Sequence, residues 1–218
     1  MGYQVAIDGP AGAGKSTIAK RVAKEKGFIY VDTGAMYRAL ALHFLEREIQ
    51  ARETERIVEA VQDADVRIQY EDGIQQVYLN GRNVTGRLRE ESVGNMASQS
   101  SAIPQVREKL LELQRSLARK EDVVMDGRDI GTCVLPDADV KVFLTASVKT
   151  RARRRCEELR EKGILCDLAE IERDIRERDE RDMTRETAPL RQAEDAVLID
   201  SSDMTIEEVT AAIVKLCG

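Results

Sequence analysis

The residues with the clearest chemistry lie near the amino terminus, in the run Gly9-Pro10-Ala11-Gly12-Ala13-Gly14-Lys15-Ser16. This run matches G-x-x-x-x-G-K-[ST] at every fixed position, a pattern whose backbone N–H groups converge on a phosphate chain. Lys15 is then expected to reach the β- and γ-phosphates of a nucleotide, and the Ser16 hydroxyl to face Mg²⁺. The candidate nucleotide-binding residues are Gly9, Pro10, Ala11, Gly12, Ala13, Gly14, Lys15, Ser16 and Thr17.

The segments on either side of this run favour a phosphate site over a glycine-rich turn that merely precedes a helix. Residues 3–7 read as a short strand, and residues 15–26 carry Ile18 and Val22 at helical spacing before Gly27. Strand, glycine loop and helix is the context in which the motif binds phosphate, because the helix amino terminus adds the positive end of its dipole.

Other polar residues follow predicted strands further along the chain. Asp32 and Thr33 come after strand 28–31, Arg38 lies on the first turn of the next helix, and Asp126 ends strand 122–126. The carboxyl ends of parallel strands share the ligand-binding edge of a sheet, so these side chains are expected to face one cleft. Asp126 is therefore a candidate Mg²⁺ ligand together with Ser16, and the alternative for Asp126 is an ordinary strand-ending turn.

The charge pattern suits a small anionic ligand better than a nucleic acid polymer. The formal net charge is −6, charged residues make up 34% of the chain, and aromatic residues only 4%. The chain has 24 Arg and 10 Lys, and 11 of the Arg lie between positions 151 and 191. Arg grips phosphate through a planar, always charged fork, although most of these residues could equally lie on solvated helix faces.

The cysteine and histidine content argues against metal clusters and disulfide frameworks. The four cysteines, Cys133, Cys156, Cys166 and Cys217, include no C-x-x-C pair. We therefore expect neither a zinc knuckle nor a disulfide framework, and a reducing, cytoplasmic location. The single His43 lies in an apolar helical stretch and is expected to be a packing residue. Neither a leader segment nor an apolar run of 18 residues is found, so no membrane partner is expected.

The order of predicted elements indicates one α/β domain with a parallel, doubly wound sheet flanked by helices, as in P-loop NTPases. We assign the core to about 1–50, 120–147 and 190–218. Period-two alternation around Glu71-Asp72-Gly73, and a second turn at Asn80-Gly81, predict antiparallel strands within an insert over about 52–119. Two highly charged helices joined through Gly163 predict a mobile lid over about 148–188.

A phosphate-binding loop (P-loop) such as the one predicted at residues 9–16 does not by itself distinguish an ATPase, a GTPase and a kinase. No Asn is followed by Lys, which disfavours a guanine-specific switch protein, and motors are normally longer. A small-molecule kinase needs a carboxylate near Mg²⁺, cations at the acceptor pocket and cations on a lid. The carboxylate near Mg²⁺ could be Asp126, and the cations at the acceptor pocket could be Arg38 and Arg128. The lid cations could come from the Arg clusters at 151–155 and 178–185.

Four motifs together resemble the bacterial cytidylate kinases, which are P-loop nucleoside monophosphate kinases. They are Ile7-Asp8 with the P-loop, Asp32-Thr33-Gly34-Ala35-Met36-Tyr37-Arg38, Asp126-Gly127-Arg128-Asp129-Ile130-Gly131-Thr132, and Arg178-Asp179-Glu180-Arg181-Asp182. The likeness runs through the whole chain, including the insert in the monophosphate-binding region. Cys133 stands where we expect Val, an apolar exchange that puts nothing else in question.

This resemblance implies transfer of the ATP γ-phosphate, with Mg²⁺, to CMP or dCMP in pyrimidine metabolism, giving CDP or dCDP and ADP. The resemblance implies that the acceptor phosphate is held by Arg38, Arg128 and Arg185, with Thr33 nearby, and that Tyr37 packs near the nucleotide. It implies that the cytosine edge is read by Ser98, Arg107 and Asp129. It also implies that the sugar is held by Arg178 and Asp182. Lid cations would come from Arg151 and Arg154. The catalytic set is then Lys15, Arg128, Arg151, Arg154 and Arg185.

The chemistry agrees with this reading, because a phosphate oxygen is already ionised at neutral pH and needs no general base. Catalysis then reduces to positioning and charge neutralisation. We expect a monomer acting on small molecules only. Two alternatives stay open: another P-loop kinase, such as an adenylate or shikimate kinase, and a nucleotide-gated binding protein that hydrolyses ATP slowly. The sequence leaves open the preference among CMP, dCMP and UMP.

Overall fold

The computed structural model describes residues 2–161 and 163–218. Along the chain its elements are β1 (Gln4–Asp8), α1 (Lys15–Lys26), β2 (Ile29–Asp32), α2 (Thr33–Glu46), α3 (Thr54–Gln62), β3 (Val66–Glu71), β4 (Ile74–Leu79), β5 (Arg82–Asn83), α4 (Glu91–Ser100), α5 (Pro104–Lys120), β6 (Val123–Gly127), β7 (Val140–Thr145), α6 (Val148–Glu161), α7 (Leu168–Thr184), β8 (Val197–Asp200) and α8 (Ile206–Leu216). A 3₁₀ turn spans Thr85–Arg87 and a π-helical turn spans Ile130–Val134.

The main sheet is parallel throughout and has the strand order β2-β6-β1-β7-β8. Strand β1 lies at its centre, with Ile7 opposite Asp126 and, one strand further, Asp126 opposite Asp32. The polar residues that end these strands therefore meet at one edge of the sheet. The predicted fold class, a P-loop type α/β sheet flanked by helices, is confirmed.

Both faces of this sheet are covered by aliphatic side chains. On one face Ile18 and Val22 of α1 and Ile213 of α8 pack against the strands. On the other face Met36 and Leu40 of α2 belong to a larger core that continues into α3, α4 and α5. The three central strands, β6, β1 and β7, are mostly buried on both sides and read as hydrophobic runs, as parallel strands usually do. His43 is buried in this second core near the Ala60 carbonyl, which confirms its predicted packing role.

The segment between α2 and β6 forms its own three-stranded antiparallel sheet, in the order β3-β4-β5. Asp72 and Gly73 make the first turn with φ of 50° and 74°, and Asn80 and Gly81 make the second with φ of 49° and 78°. Both turns were predicted, because Gly and Asn tolerate this left-handed backbone. Helix α4 begins at Glu91, after the 3₁₀ turn over Thr85–Arg87.

Helices α6 and α7 form a hairpin that carries most of the chain's Arg cluster. One expectation is wrong here, because Cys156 and Cys166 form a disulfide with their Cα atoms 5.7 Å apart. The bond closes the connection between the two helices. The two cysteines are ten positions apart, which is not a recognised cysteine spacing, so no signal for the bond is visible in the sequence. Cys133 and Cys217 are free thiols. No helix among residues 2–161 and 163–218 is long and apolar enough to cross a membrane.

Candidate functional site

The P-loop, residues 9–16, follows β1 directly, and its last two residues, Lys15 and Ser16, begin α1. Gly9 has φ 149°, and a Cβ atom there would lie 1.9 Å from the Leu144 carbonyl oxygen, so only Gly allows the loop to pass β7. The Lys15 ammonium is buried and donates to the Pro10 carbonyl at 2.7 Å. Burial first, and then the nearby Arg128 guanidinium, lowers the pKa of Lys15 well below its usual value. A polyanion bound in the loop would stabilise the charged form of this lysine.

Asp126 lies beside the P-loop and receives two hydroxyl groups. Ser16 Oγ donates to Asp126 Oδ2 at 3.0 Å, and the Tyr30 hydroxyl donates to Asp126 Oδ1 at 2.8 Å. Burial, and then the Asp32 charge, raises the pKa of Asp126. A divalent cation placed here would offset that unfavourable burial of charge. The structure thus brings together Ser16 and Asp126, the two predicted metal ligands, and adds Tyr30, which sequence reasoning missed.

Asp8, at the end of β1, links the P-loop to the neighbouring strand end. Its carboxylate accepts the backbone N–H of Ile130 at 2.8 Å and of Gly131 at 2.7 Å. Burial raises the pKa of Asp8 to about 7, against the lowering effect of these two backbone donors. The two hydrogen bonds fix the π-helical turn that follows Arg128 and Asp129. Asp8 is a residue whose function the sequence reading did not assign, although its place at the end of β1 was a usable signal.

Beyond this turn lies a buried network of carboxylates and guanidinium groups. Asp129 pairs with Arg107 and lies 3.6 Å from Arg185 Nη2, and all three side chains are less than 10% exposed. Asp182 accepts from Arg128 Nε at 2.9 Å and lies 3.9 Å from Arg185 Nη1. Burial alone would raise the pKa of Asp182, but the Arg128 guanidinium holds this pKa below its usual value. The network thus brings together five of the residues predicted to contact the base, the sugar or the phosphate: Arg107, Arg128, Asp129, Asp182 and Arg185.

Helix α2 presents Arg38 toward the same space. Asp32 caps this helix by accepting the Ala35 N–H at 2.8 Å, and Arg38 Nη2 donates to both Asp32 oxygens at 3.2 and 3.0 Å. Thr33 Oγ1 donates to the Asp126 carbonyl at 2.7 Å, which joins the start of α2 to β6. The Tyr37 ring lies 5.4 Å from the Arg107 guanidinium, so it packs against the cation of the Asp129 pair.

The two predicted lid cations lie next to the P-loop and are engaged with protein groups. Arg151 donates to the carbonyls of Ala146 and Ala11, each at 2.9 Å, and forms two hydrogen bonds with Asp179 at 3.1 and 2.6 Å. Arg154 donates to the Ser201 carbonyl at 2.7 Å. A direct contact of either residue with phosphate stays a prediction, because it requires these partners to be exchanged. Asp179 had no assigned role in the sequence reading.

Several buried nitrogen and oxygen atoms have no hydrogen-bond partner in the protein. Among residues 2–161 and 163–218 they are Arg38 Nε, Ser98 Oγ, Gln114 Nε2, Arg178 Nε and Arg185 Nη2. Four of the five belong to residues predicted to contact the acceptor nucleotide. Buried polar groups are normally satisfied, and an unpaired one costs about 1–3 kcal/mol. The arrangement therefore offers donors to a polar, anionic molecule that would sit between them.

Comparison with known proteins gives a consistent result. The family model described as cytidylate kinase matches residues 5–218. A cytidylate kinase of Caldicellulosiruptor saccharolyticus is 52% identical over 212 residues, covering 97% of this chain and 94% of the relative. One from Lactobacillus gasseri is 50% identical over 213 residues, covering 98% and 93%. The crystal structure of an uncharacterized protein from Eubacterium ventriosum superposes with a TM-score of 0.52 at 15% identity, covering 98% of this chain and 96% of that one, a likeness of fold alone.

Proposed function

This chain belongs to the cytidylate kinase family, and on that premise we propose that it transfers the ATP γ-phosphate to CMP or dCMP at the site described above. The products are CDP or dCDP and ADP, in pyrimidine nucleotide metabolism. The observation that carries the assignment of the acceptor site is the set of unpaired buried donors on Arg38, Ser98, Arg178 and Arg185. Of these four side chains, Arg185 lies beside both the Asp129 and Asp182 carboxylates. The region therefore combines acceptors for an amino group or hydroxyls with donors for a phosphate.

On the donor side, residues 9–17 hold the ATP phosphates through backbone N–H groups and the Lys15 ammonium. The residues present fit Mg²⁺, because a hydroxyl and a buried carboxylate are hard oxygen ligands and the ion usually takes one or two carboxylates plus substrate phosphates. No group of three or more His, Cys, Asp or Glu side chains suited to a metal is found in the described part of the chain. Ser16 and Asp126 would hold the ion, which supplies positive charge near the transferring phosphoryl group.

On the acceptor side, the roles divide according to chemistry. Asp129 accepts from the cytosine amino group, Arg107 fixes its carboxylate, and Ser98 contributes a hydroxyl to the same base edge. Arg178 and Asp182 hold the sugar, whereas Arg38, Arg128 and Arg185 hold the phosphate. Burial lowers the pKa of Arg178 to about 10, well above neutral, so this cation stays charged in the working range.

Catalysis in this arrangement is positioning and electrostatics. The attacking phosphate oxygen is ionised already, so the chain supplies no base. Lys15 and Arg128 neutralise charge that spreads over the equatorial oxygens, and one such cation can contribute about 10³-fold in rate. The α6–α7 hairpin, in the predicted lid over residues 148–188, excludes water that would otherwise accept the phosphoryl group.

The remaining sequence-based expectations are proposals of the same kind. They are the division into core, insert over about 52–119 and lid over about 148–188, a monomeric state, and a cytoplasmic location. The alternatives of an adenylate or shikimate kinase lose their support, since the family match extends from residue 5 to residue 218.

The test of the function is ADP release by the purified chain with and without CMP. A kinase releases ADP in proportion to CMP and forms an equal amount of CDP, whereas a slow ATPase releases ADP and phosphate without CMP. Lys15→Ala serves as the site control. It should nearly abolish turnover and leave CMP binding, measured by calorimetry, within a few-fold of the original value. CMP-independent ADP release, or equal loss of CMP affinity and rate in Lys15→Ala, would count against the proposal.

A further inference from the structure

The outer edge of β2 is covered by side chains of the three-stranded sheet. Strand β2 is the last strand of the main sheet, and Ile29 N–H donates inward to the Asp122 carbonyl at 2.8 Å. Backbone groups alternate along a strand, so those of Tyr30 and Asp32 point away from β6. Such free edges normally need a partner. Here the Tyr70 hydroxyl donates to the Tyr30 carbonyl at 3.1 Å.

Gln75 completes this edge. Its Oε1 atom accepts the Asp32 N–H at 2.9 Å, and its Nε2 atom donates to the Asp32 carbonyl at 3.1 Å. Tyr70 and Gln75 face each other directly across β3 and β4. One cross-strand pair therefore supplies the three hydrogen bonds that a neighbouring strand would otherwise make.

Apolar packing supports this junction as well, since Val77 and Leu79 of β4 share a core with Val31 of β2. A cavity of about 140 Å³ lies beside it, lined by Ile29, Ile68, Tyr70, Leu117, Lys120, Glu121 and Val123. The three hydrogen bonds are the polar contacts that hold the Tyr70–Gln75 pair against β2.

The two residues held by this pair each orient one side of the site. Asp32 caps α2 and binds Arg38 with both carboxylate oxygens. Tyr30 donates its hydroxyl to Asp126 at 2.8 Å. A shift of Asp32 would move Arg38, and a shift of Tyr30 would release one oxygen of Asp126.

We propose that Tyr70 and Gln75 are positioning residues, which set the place of Arg38 and Asp126 from outside the site. Neither side chain bonds to a group of the P-loop or to the Asp129 network. The role of Arg38 as a phosphate ligand rests on the proposed function. Gln75 acts on the acceptor side, through Asp32 and Arg38. Tyr70 acts on the proposed metal ligand Asp126 through Tyr30.

Gln75→Met tests this role, because it removes both hydrogen bonds and keeps side-chain length. The matched control is Gln69→Met, which changes an exposed residue on the adjacent strand, next in sequence to Tyr70. In Gln75→Met we expect the KM for CMP to rise about 10-fold, with the KM for ATP within twofold. Amide deuterium exchange over residues 30–38 should accelerate, and Gln69→Met should match the unaltered chain in all three measurements.

Gln75→Glu supplies a rescue that a merely structural role would not show. An ionised Glu accepts from the Asp32 N–H but cannot donate to the Asp32 carbonyl, whereas a protonated Glu can do both. The KM for CMP, divided by that of the unaltered chain at each pH, should therefore fall as pH is lowered from 8 to 5.5. A ratio that does not fall would contradict the proposal.

The readouts separate the two claims. If the unaltered chain does not phosphorylate CMP, the proposed function fails, whereas deuterium exchange over residues 30–38 still decides whether Gln75 holds Asp32. Unchanged exchange in Gln75→Met, an unchanged KM for CMP, or equal shifts in both KM values would overturn the positioning role.

Discussion

The Arg151 guanidinium and the Asp179 carboxylate form a buried pair with two hydrogen bonds that joins α6 to α7 beside the P-loop. Arg151 also donates to the Ala11 carbonyl, so the same cation fixes the position of the loop relative to the helical hairpin. The hairpin has few buried apolar side chains, among them Ala152 and Cys156, so polar contacts contribute much of its attachment to the core.

Replacing Arg151 by Lys should loosen the P-loop, because one ammonium cannot make four directed hydrogen bonds. We expect the KM for ATP to rise about 10-fold, with the KM for CMP within twofold, and deuterium exchange over residues 9–14 to accelerate. Arg155→Lys is the matched control, since Arg155 lies on the same helix in an exposed pair with Glu158. Equal increases in both KM values would indicate general destabilisation instead.

Asp129→Ala should relax the choice of base more than it slows transfer, because a carboxylate accepts from the cytosine amino group that uracil lacks. Losing this acceptor should lower the CMP-to-UMP ratio of kcat/KM at least 10-fold, a cost of about 1–3 kcal/mol for the correct base. The change also leaves Arg107 and Arg185 without their shared anion, so we expect a loss of stability of about 3 kcal/mol.

The control for this variant is Asp63→Ala, which removes a carboxylate from an exposed pair with Arg47. Exposed pairs contribute little, so stability and base choice should both stay unchanged. Proportional losses with CMP and UMP in Asp129→Ala would show that another residue discriminates the base.

Asp8 should make stability depend on pH. Its pKa rises from 3.8 to about 7 on folding, chiefly through burial. Between these two pKa values the folded chain holds a proton that the unfolded chain has lost. The contribution of Asp8 to the free energy of unfolding is therefore fully present below pH 4 and disappears as pH rises through 7. Between pH 5 and 7.5 the unaltered chain should lose about 2–3 kcal/mol of unfolding free energy that Asp8→Asn does not lose. Urea unfolding of both chains at each pH gives the difference in unfolding free energy. If the unfolding free energy changes with pH equally in both chains, Asp8 is ionised over the whole range from pH 5 to 7.5.

The disulfide predicts a simple thiol count. Unreduced, denatured protein should show two free thiols, those of Cys133 and Cys217, and reduction should raise the count to four. Cys166→Ser should free the Cys156 thiol and accelerate deuterium exchange near the 163–168 connection, because the closed loop limits local opening. If protein that has been freshly isolated and treated with oxidant still shows four free thiols, the disulfide does not form.

The parts of the fold visible in the sequence were those with a local signal. The strands of the main sheet read as apolar runs, Gly27 marks the end of α1, and the two turns carry Asp-Gly and Asn-Gly. The P-loop is contiguous, and Asp126 ends a strand, so the donor side could be assigned from spacing. The family resemblance, and not spacing, supplied the acceptor residues.

The contacts that escaped prediction join residues far apart in the chain. Asp8 meets Ile130 across 122 positions, Arg151 meets Ala11 across 140, and Gln75 meets Asp32 across 43. No periodicity marks such partners, because each depends on how two elements pack. The Cys156–Cys166 bond likewise depends on the turn between α6 and α7 and not on a recognisable cysteine spacing.

The most direct test of the central claim is a competition reaction with ATP labelled at the γ-phosphate and equal concentrations of CMP, dCMP, UMP and AMP. The initial label in each nucleoside diphosphate gives the relative kcat/KM for each acceptor in one vessel. We expect the label to appear chiefly in CDP and dCDP, with UDP behind them and inorganic phosphate negligible. Label appearing chiefly in ADP formed from AMP, or in inorganic phosphate at a rate independent of the acceptors, would contradict the account.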